Sequence, residues 1–227
     1  MTKLIILPGA GGDGSFFRKI LEKLPDAQVL VLNKQESRRE MTEYVLENAP
    51  ENFFLLGHSM GGWVAQEVAA KAPERVEKLI LLSSWTGVEK KNQELLRMAI
   101  PLIKAGKLED VVDAQRPKMI YSPHLNDPKF CEELNRCQFR QSEEVYVKQL
   151  GAILRDYSTK HLLEKISSET LIVHGRQDEL FPITEQEALH KGIKNSRLKI
   201  LEECGHLAPI EQPEKLLEQI ELFLSRK

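Results

Sequence analysis

A chain of 227 residues, 41% of them hydrophobic and 29% charged, has the composition of one globular domain with a substantial core, and no 18-residue apolar run is present to span a bilayer. Its 32 basic and 34 acidic residues leave a formal charge of −2, which excludes the broad basic field that concentrates nucleic acid. Cys131, Cys137 and Cys204 are an odd number without CxxC spacing, a usage that fits reduced thiols in a cytoplasmic protein better than a disulfide framework or a zinc site.

Taken in chain order, Lys3 to Leu7 is too short for a signal-peptide core and lacks a small-residue cleavage site, so it reads as a first strand. The loop after it, Pro8-Gly9-Ala10-Gly11-Gly12-Asp13-Gly14, satisfies G-x-G-x-x-G, the spacing of a dinucleotide site. Against that reading, the next strand, Val29 to Leu32, ends in Asn33 rather than in an acid that would hold a ribose hydroxyl, and Pro8 crowds the turn. The better account is that the loop presents a backbone N–H, that of Ala10, to a developing negative oxygen. Phe16 and Phe17 either line a pocket or pack the first helix.

Ser37-Arg38-Arg39-Glu40 fits a capping box for a helix through Asn48. A strand, Phe53 to Leu56, then runs straight into Gly57-His58-Ser59-Met60-Gly61-Gly62, a G-x-S-x-G motif at a strand-to-helix junction. A sharp turn there strains the serine backbone and leaves room only for glycine beside it. It lifts the Ser59 hydroxyl clear of the sheet and puts the Met60 N–H at a helix N-terminus, where a negative oxygen is favoured. His58 reads as packing or polar filler and Trp63 as core.

After the strand Leu79 to Leu82 comes a long insertion, Ser84 to Ser167, punctuated by Pro101, Pro117, Pro123 and Pro128. Such a crossover is too long for a plain βαβ unit. Leu95, Met98, Ala99 and Leu102 recur at helical spacing, as do Val145, Gln149, Ala152 and Ile153 less cleanly, so the insertion reads as helical and packs onto the body. The basic pair Lys90-Lys91 belongs on a solvated face.

The strand Leu171 to Val173 leads into His174-Gly175-Arg176-Gln177-Asp178-Glu179, and the last strand, Leu198 to Leu201, into Cys204-Gly205-His206. Catalytic residues of parallel α/β sheets collect at carboxyl ends of strands. Ser59, Asp178 and His206 therefore form a candidate triad, in which the imidazole takes the serine proton and the carboxylate orients the imidazole. Glu179 competes for the acid role, His174 reads as a structural strand-end residue, and His124, His161 and His190 as surface residues. Such a base must be neutral, so activity is expected to fall as pH drops through about 6.5, the ordinary histidine value.

LPGAGG, GHSMGG, HGRQDELFP and CGHLAPIEQPE together resemble the α/β-hydrolase superfamily over nearly the whole chain, most of all its short bacterial carboxylesterase-like members. The resemblance implies an α/β-hydrolase fold: a mostly parallel sheet of about six strands flanked by helices, with Val29 to Leu32 at one edge. The core would comprise residues 1–83 and 168–227, and a helical cap residues 84–167, inserted after the fourth strand. It also implies hydrolysis of a small carboxylic ester without cofactor or metal, through Ser59, His206 and Asp178, with Ala10 and Met60 in the oxyanion hole. Pro8 stands where the family usually has histidine. Trp85, Met119, Tyr121 and Phe139, with Met98 and Phe130, are candidates for an apolar substrate pocket, and Arg136 and Arg140 for recognising a carboxylate. The same triad serves a thioesterase, an enol-lactonase or a C–C hydrolase, and a non-catalytic binding protein could keep it too.

Overall fold

The computed structural model describes residues 2–87, 90–156 and 158–225, and of 90–92 the backbone alone; the Lys90-Lys91 pair thus lies outside the described side chains. In chain order the elements are β1 (Lys3–Leu7), α1 (Arg18–Lys23), β2 (Gln28–Val29), α2 (Arg38–Asn48), β3 (Phe53–His58), α3 (Met60–Lys71) and β4 (Val76–Leu82). Then come α4 (Lys90–Lys104), α5 (Leu108–Asp113), α6 (Arg116–Met119), α7 (Pro128–Cys137) and α8 (Glu143–Arg155), all between β4 and β5 (Glu169–Gly175). The chain closes with α9 (Ile183–Gly192), β6 (Ser196–Leu201), α10 (Ala208–Glu211) and α11 (Pro213–Leu224).

The strands form one sheet of order β2-β1-β3-β4-β5-β6, with every neighbouring pair parallel. Alternation along each strand splits its side chains between two cores. Ile5, Leu7, Leu55, Leu79, Leu81 and Ile172 face α2, α3 and the inserted helices, while Leu4, Ile6, Leu56, Ile80, Leu82 and Val173 face α1 and α11. Both faces are covered, which is why the strands read as continuous apolar runs. The strand order reverses beside β1, so the loops after β1 and β3 diverge and leave a crevice at their carboxyl ends.

Local signals explain the helices. The Glu40 N–H donates to Ser37 Oγ at 3.2 Å, but Glu40 Oε2 accepts from the Glu36 N–H rather than from that of Ser37, so the box closes one residue early. Pro213 sits in the first turn of α11, where no intrahelical donor is lost. Buried Arg38 pins α2 to the body: it bonds Glu67 at 2.5 Å, Asp156 at 2.8 Å and the Ser158 carbonyl, and its guanidinium lies 4.9 Å from the Trp63 ring.

Three expectations need correction. The edge strand spans only Gln28 and Val29: the Leu30 N–H still donates to the Ile6 carbonyl, but β1 ends at Leu7 and the Leu32 carbonyl accepts from the Gln149 side chain of α8 at 2.6 Å. Pro101 lies inside α4 and does not end it. On that helix Ala99 and Ile103 turn inward, with Leu96 and Ile100 packed against the core, whereas Leu95, Met98 and Leu102 are exposed. The packing stripe therefore runs one position out of step with the one expected, and Met98 faces solvent, 66% exposed. Among the described residues no helix is long and apolar enough to cross a membrane.

Candidate active site

Ser59 occupies the turn between β3 and α3 with φ 53° and ψ −118°, a left-handed strain that side-chain-bearing residues adopt only where their surroundings enforce it. Its N–H donates to the Leu82 carbonyl on β4 at 2.9 Å, and its carbonyl accepts from the amides of Gly62 and Trp63 and from the Ser84 hydroxyl. The nucleophile turn is thereby held by the next strand and by its own helix. A methyl group built on Gly9 would stand 3.2 Å from Ser59 Cβ and 3.3 Å from His58 Nδ1, so the loop after β1 lies directly against the serine.

Asp178 and His206 meet at the end of the sheet, each buried. His206 Nδ1 lies 2.7 Å from Asp178 Oδ2, and Asp178 Oδ1 accepts the amides of Leu180 and Phe181 at 2.9 and 3.1 Å. A carboxylate can only accept, so Nδ1 carries a proton, and in the neutral ring the lone pair is on Nε2. The two loops are laced together: the Gln177 N–H donates to the Cys204 carbonyl, and the Cys204 N–H donates to Gln177 Oε1. Glu179 is exposed, and its amide donates to the Lys118 carbonyl. Of the two competing acids, Asp178 is the one in contact with the imidazole.

His58 does more than fill space. Its Nε2–H donates to the His206 carbonyl at 3.0 Å, its ring centroid is 5.0 Å from that of His206, and buried Phe17 packs edge-on against it. Burial, with the nearby His206, pushes the His58 pKa down to about 3. His174, buried with Nδ1 3.7 Å from Asp178 Oδ2, is also pushed below its ordinary value, chiefly by burial. Both imidazoles bind protons more weakly in the fold than in the unfolded chain, which takes them up first once pH falls below about 6.5, so acid destabilises. We expect the melting temperature to decline from pH 6.5 downward and to decline less steeply in His58→Asn. Parallel curves for the two proteins would remove His58 from that titration.

The inserted helices reach the same rim. Gln149, buried on α8, accepts from the Gly11 N–H at 2.7 Å and donates to the Leu32 carbonyl. The ring of Tyr146, one turn earlier, covers Gly11 so closely that a methyl there would lie 1.9 Å from it. Burial raises the Tyr146 phenol to about 12. With the Gly11 amide on Gln149 and the Gly12 amide on the Gly9 carbonyl, the loop is tied to the serine and to α8 rather than shaped as an open phosphate cradle. Gln149 entered the sequence reading only as part of an apolar stripe and Tyr146 not at all; their partners lie more than 110 positions away.

The remaining candidates are dispersed. Trp85 is buried in a stack, 6.2 Å from Trp63 and 4.7 Å from Phe181, and Phe181 in turn lies 5.6 Å from His206, so Trp85 backs the base from the core. Met119 gives its backbone: its carbonyl accepts from the His206 N–H at 2.6 Å. Tyr121 and Phe130 are half-buried against His124, which is therefore not a plain surface residue, unlike exposed His161 and His190. Phe139, at φ 56°, lines a surface cavity of about 370 Å³ with Lys107, Glu109 and Ser142, which no triad or glycine-loop residue lines. Arg136 pairs with Glu132 and Glu133, and Arg140 with Asp13. Among the described residues no group of three or more His, Cys, Asp or Glu is disposed to hold a metal ion.

Comparison with known proteins bears on the family and the fold. The family described as serine aminopeptidase, S33 matches residues 36–213. RutD of Rhizobium rhizogenes, named for a carbamate hydrolase activity, is 25% identical over 97% of this chain and 92% of its own length. A 2-hydroxy-6-oxononadienedioate/2-hydroxy-6-oxononatrienedioate hydrolase of Pseudomonas putida is 28% identical over 96% and 85%. Among solved structures, an enol-lactonase from Burkholderia xenovorans superposes with a TM-score of 0.88 at 17% identity, covering 99% of this chain and 92% of that one. An esterase from Thermogutta terrifontis gives 0.85 at 21%, covering 99% and 89%.

Proposed function

Since this chain belongs to the serine aminopeptidase S33 family of α/β-hydrolases and is itself a hydrolase, we propose that it cleaves a small carboxylic ester through an acyl-enzyme on Ser59. The observation that carries the reading is the buried 2.7 Å contact of His206 Nδ1 with Asp178 Oδ2, on the rim where the strained Ser59 turn meets Gly9.

Because Nδ1–H points at the carboxylate, Nε2 is the nitrogen that takes the Ser59 proton as Oγ bonds to the ester carbon. Asp178 stabilises the imidazolium that results, at a site where burial magnifies its charge. The amides of Ala10 and Met60 receive the oxyanion; those of Gly11 and Gly12 are engaged elsewhere, which supports Ala10 as the loop's donor. On collapse the alcohol leaves with the proton from Nε2. Water then attacks the acyl-enzyme with His206 again as base, releasing the acid and restoring Ser59. The segment 84–167 acts as the cap that shapes the acyl site, with Tyr146 and Gln149 of α8 over the oxyanion loop. Three free thiols, Cys131, Cys137 and Cys204, fit a cytoplasmic setting.

Two relatives are named for other substrates, a carbamate and a 2-hydroxy-6-oxononadienedioate. A panel of p-nitrophenyl esters of rising chain length, run beside a thioester, an enol lactone, a carbamate and a dienedioate, separates them. We expect the short esters to show the highest kcat/KM. A carbamate or C–C substrate turned over about tenfold faster, a transition-state preference of about 1.4 kcal/mol, would overturn the ester assignment while leaving the triad intact.

A further inference from the structure

We propose that Glu211 is the positioning residue of the base: its buried carboxylate grips the backbone on both sides of His206 and ties it to the cap segment at Tyr121. The proposal rests on the assignment of His206 as base.

Glu211 ends α10 and is 7% exposed. Its Oε2 accepts the N–H of Gly205 at 3.0 Å and that of Tyr121 at 2.8 Å, while Oε1 accepts the N–H of Leu207 at 3.0 Å. Gly205 and Leu207 are the immediate neighbours of His206. The N–H of His206 itself goes to the Met119 carbonyl and its C=O receives the His58 Nε2–H. The polypeptide that carries the imidazole is thus fixed by four hydrogen bonds to three partners, and one of these, Glu211, holds two points at once.

The choice of residue carries information. The surroundings are apolar, with Ile120, Leu134, Leu207 and Ile210 packed together, where burying a carboxylate is costly and an aliphatic side chain would fill the space at less expense. Three converging amide donors need acceptors only. A carboxamide would turn its NH2 toward one of them, and a protonated acid would place a hydrogen there. Burial raises the Glu211 pKa even as the three amides pull it down; it is the three converging N–H donors that call for a carboxylate. Tyr121 connects the cap: with the Glu179 N–H on the Lys118 carbonyl and the His206 N–H on that of Met119, residues 118, 119 and 121 bond the acid loop, the base and its clamp in turn. A shift of the clamp would misplace Nε2 relative to Ser59 Oγ, and misplacements on the order of 1 Å cost up to about 100-fold in rate.

The test compares Glu211→Gln with wild type for kcat, KM and the rate and endpoint of Ser59 labelling by a fluorophosphonate. We expect kcat and the labelling rate to fall about 10- to 100-fold while the endpoint stays complete and KM stays within about twofold. A melting temperature lowered with kcat per labelled serine unchanged would reduce Glu211 to a structural role and overturn the proposal. Should Glu211→Gln fail to fold, Tyr121→Pro against Tyr121→Ala decides. Tyr121 has φ −58° and Ile120 is extended, so proline fits while deleting the N–H alone. A kcat for Tyr121→Pro severalfold below that of Tyr121→Ala supports the clamp, and equal values overturn it. Wild-type protein that takes no label at Ser59 would instead bring down the triad reading, and this proposal with it.

Discussion

Replacing Ser59 by alanine is expected to lower kcat by roughly five orders of magnitude, with no labelling by a fluorophosphonate and little change in melting temperature. The size follows from how the triad works: its members act as one unit, so removing the nucleophile leaves only binding and oxyanion stabilisation. On the free-energy scale this is about 7 kcal/mol of lost transition-state stabilisation. The fold should tolerate the change, because the turn is held through the backbone, by the Ser59 N–H on Leu82 and by three donors on the Ser59 carbonyl, none of which involves Oγ. Equal labelling of variant and wild type, located by peptide mapping away from position 59, would end the case for this serine.

Gly61→Ala should act on the fold instead. A methyl at Gly61 would lie 2.1 Å from the Leu7 carbonyl oxygen and 2.7 Å from that of Pro8. These are backbone atoms at and just past the end of β1, so no side chain can swing aside, and α3 must move away from the sheet. We expect a loss of about 3 kcal/mol, the overpacking range for a close-packed site, or a fall of roughly 6–12 °C in melting temperature for a domain of this length. Activity should fall further than stability, because the same displacement separates the Met60 amide from the Gly9-Ala10 loop. A variant melting within about 2 °C of wild type, on the same scale, would mean that helix and strand are not locked at this crossing.

Much of this site was legible in the chain because its chemistry fixes residue types at strand ends. Ser59 announces itself through the glycines its turn requires, and Asp178 and His206 through their places after β5 and β6. The parallel sheet covered on both faces also followed from the continuous apolar runs; its strand order did not. What stayed hidden depends on tertiary pairing. Gln149 bonds Gly11 from 138 positions away, and no local pattern distinguishes its amide from a polar residue on a helix surface. Likewise His58 holds the carbonyl of His206 across 148 positions. The α4 stripe failed for a different reason: Leu95, Leu96, Met98, Ala99, Ile100, Leu102 and Ile103 form two adjacent apolar ridges, and helical period alone does not say which one meets the body. Trp85, an aromatic just past a strand end that reads as a pocket candidate, is buried in the core.

The bonds from Lys118, Met119 and Tyr121 to the acid loop, the base and Glu211 have a consequence for protein engineering. Chimeras that borrow cap helices from another hydrolase, in order to change which acyl chain is accepted, have usable splice points on either side of this short stretch. Grafts that spare it should keep His206 and Asp178 in register, whereas grafts that replace it must bring their own brace for the imidazole.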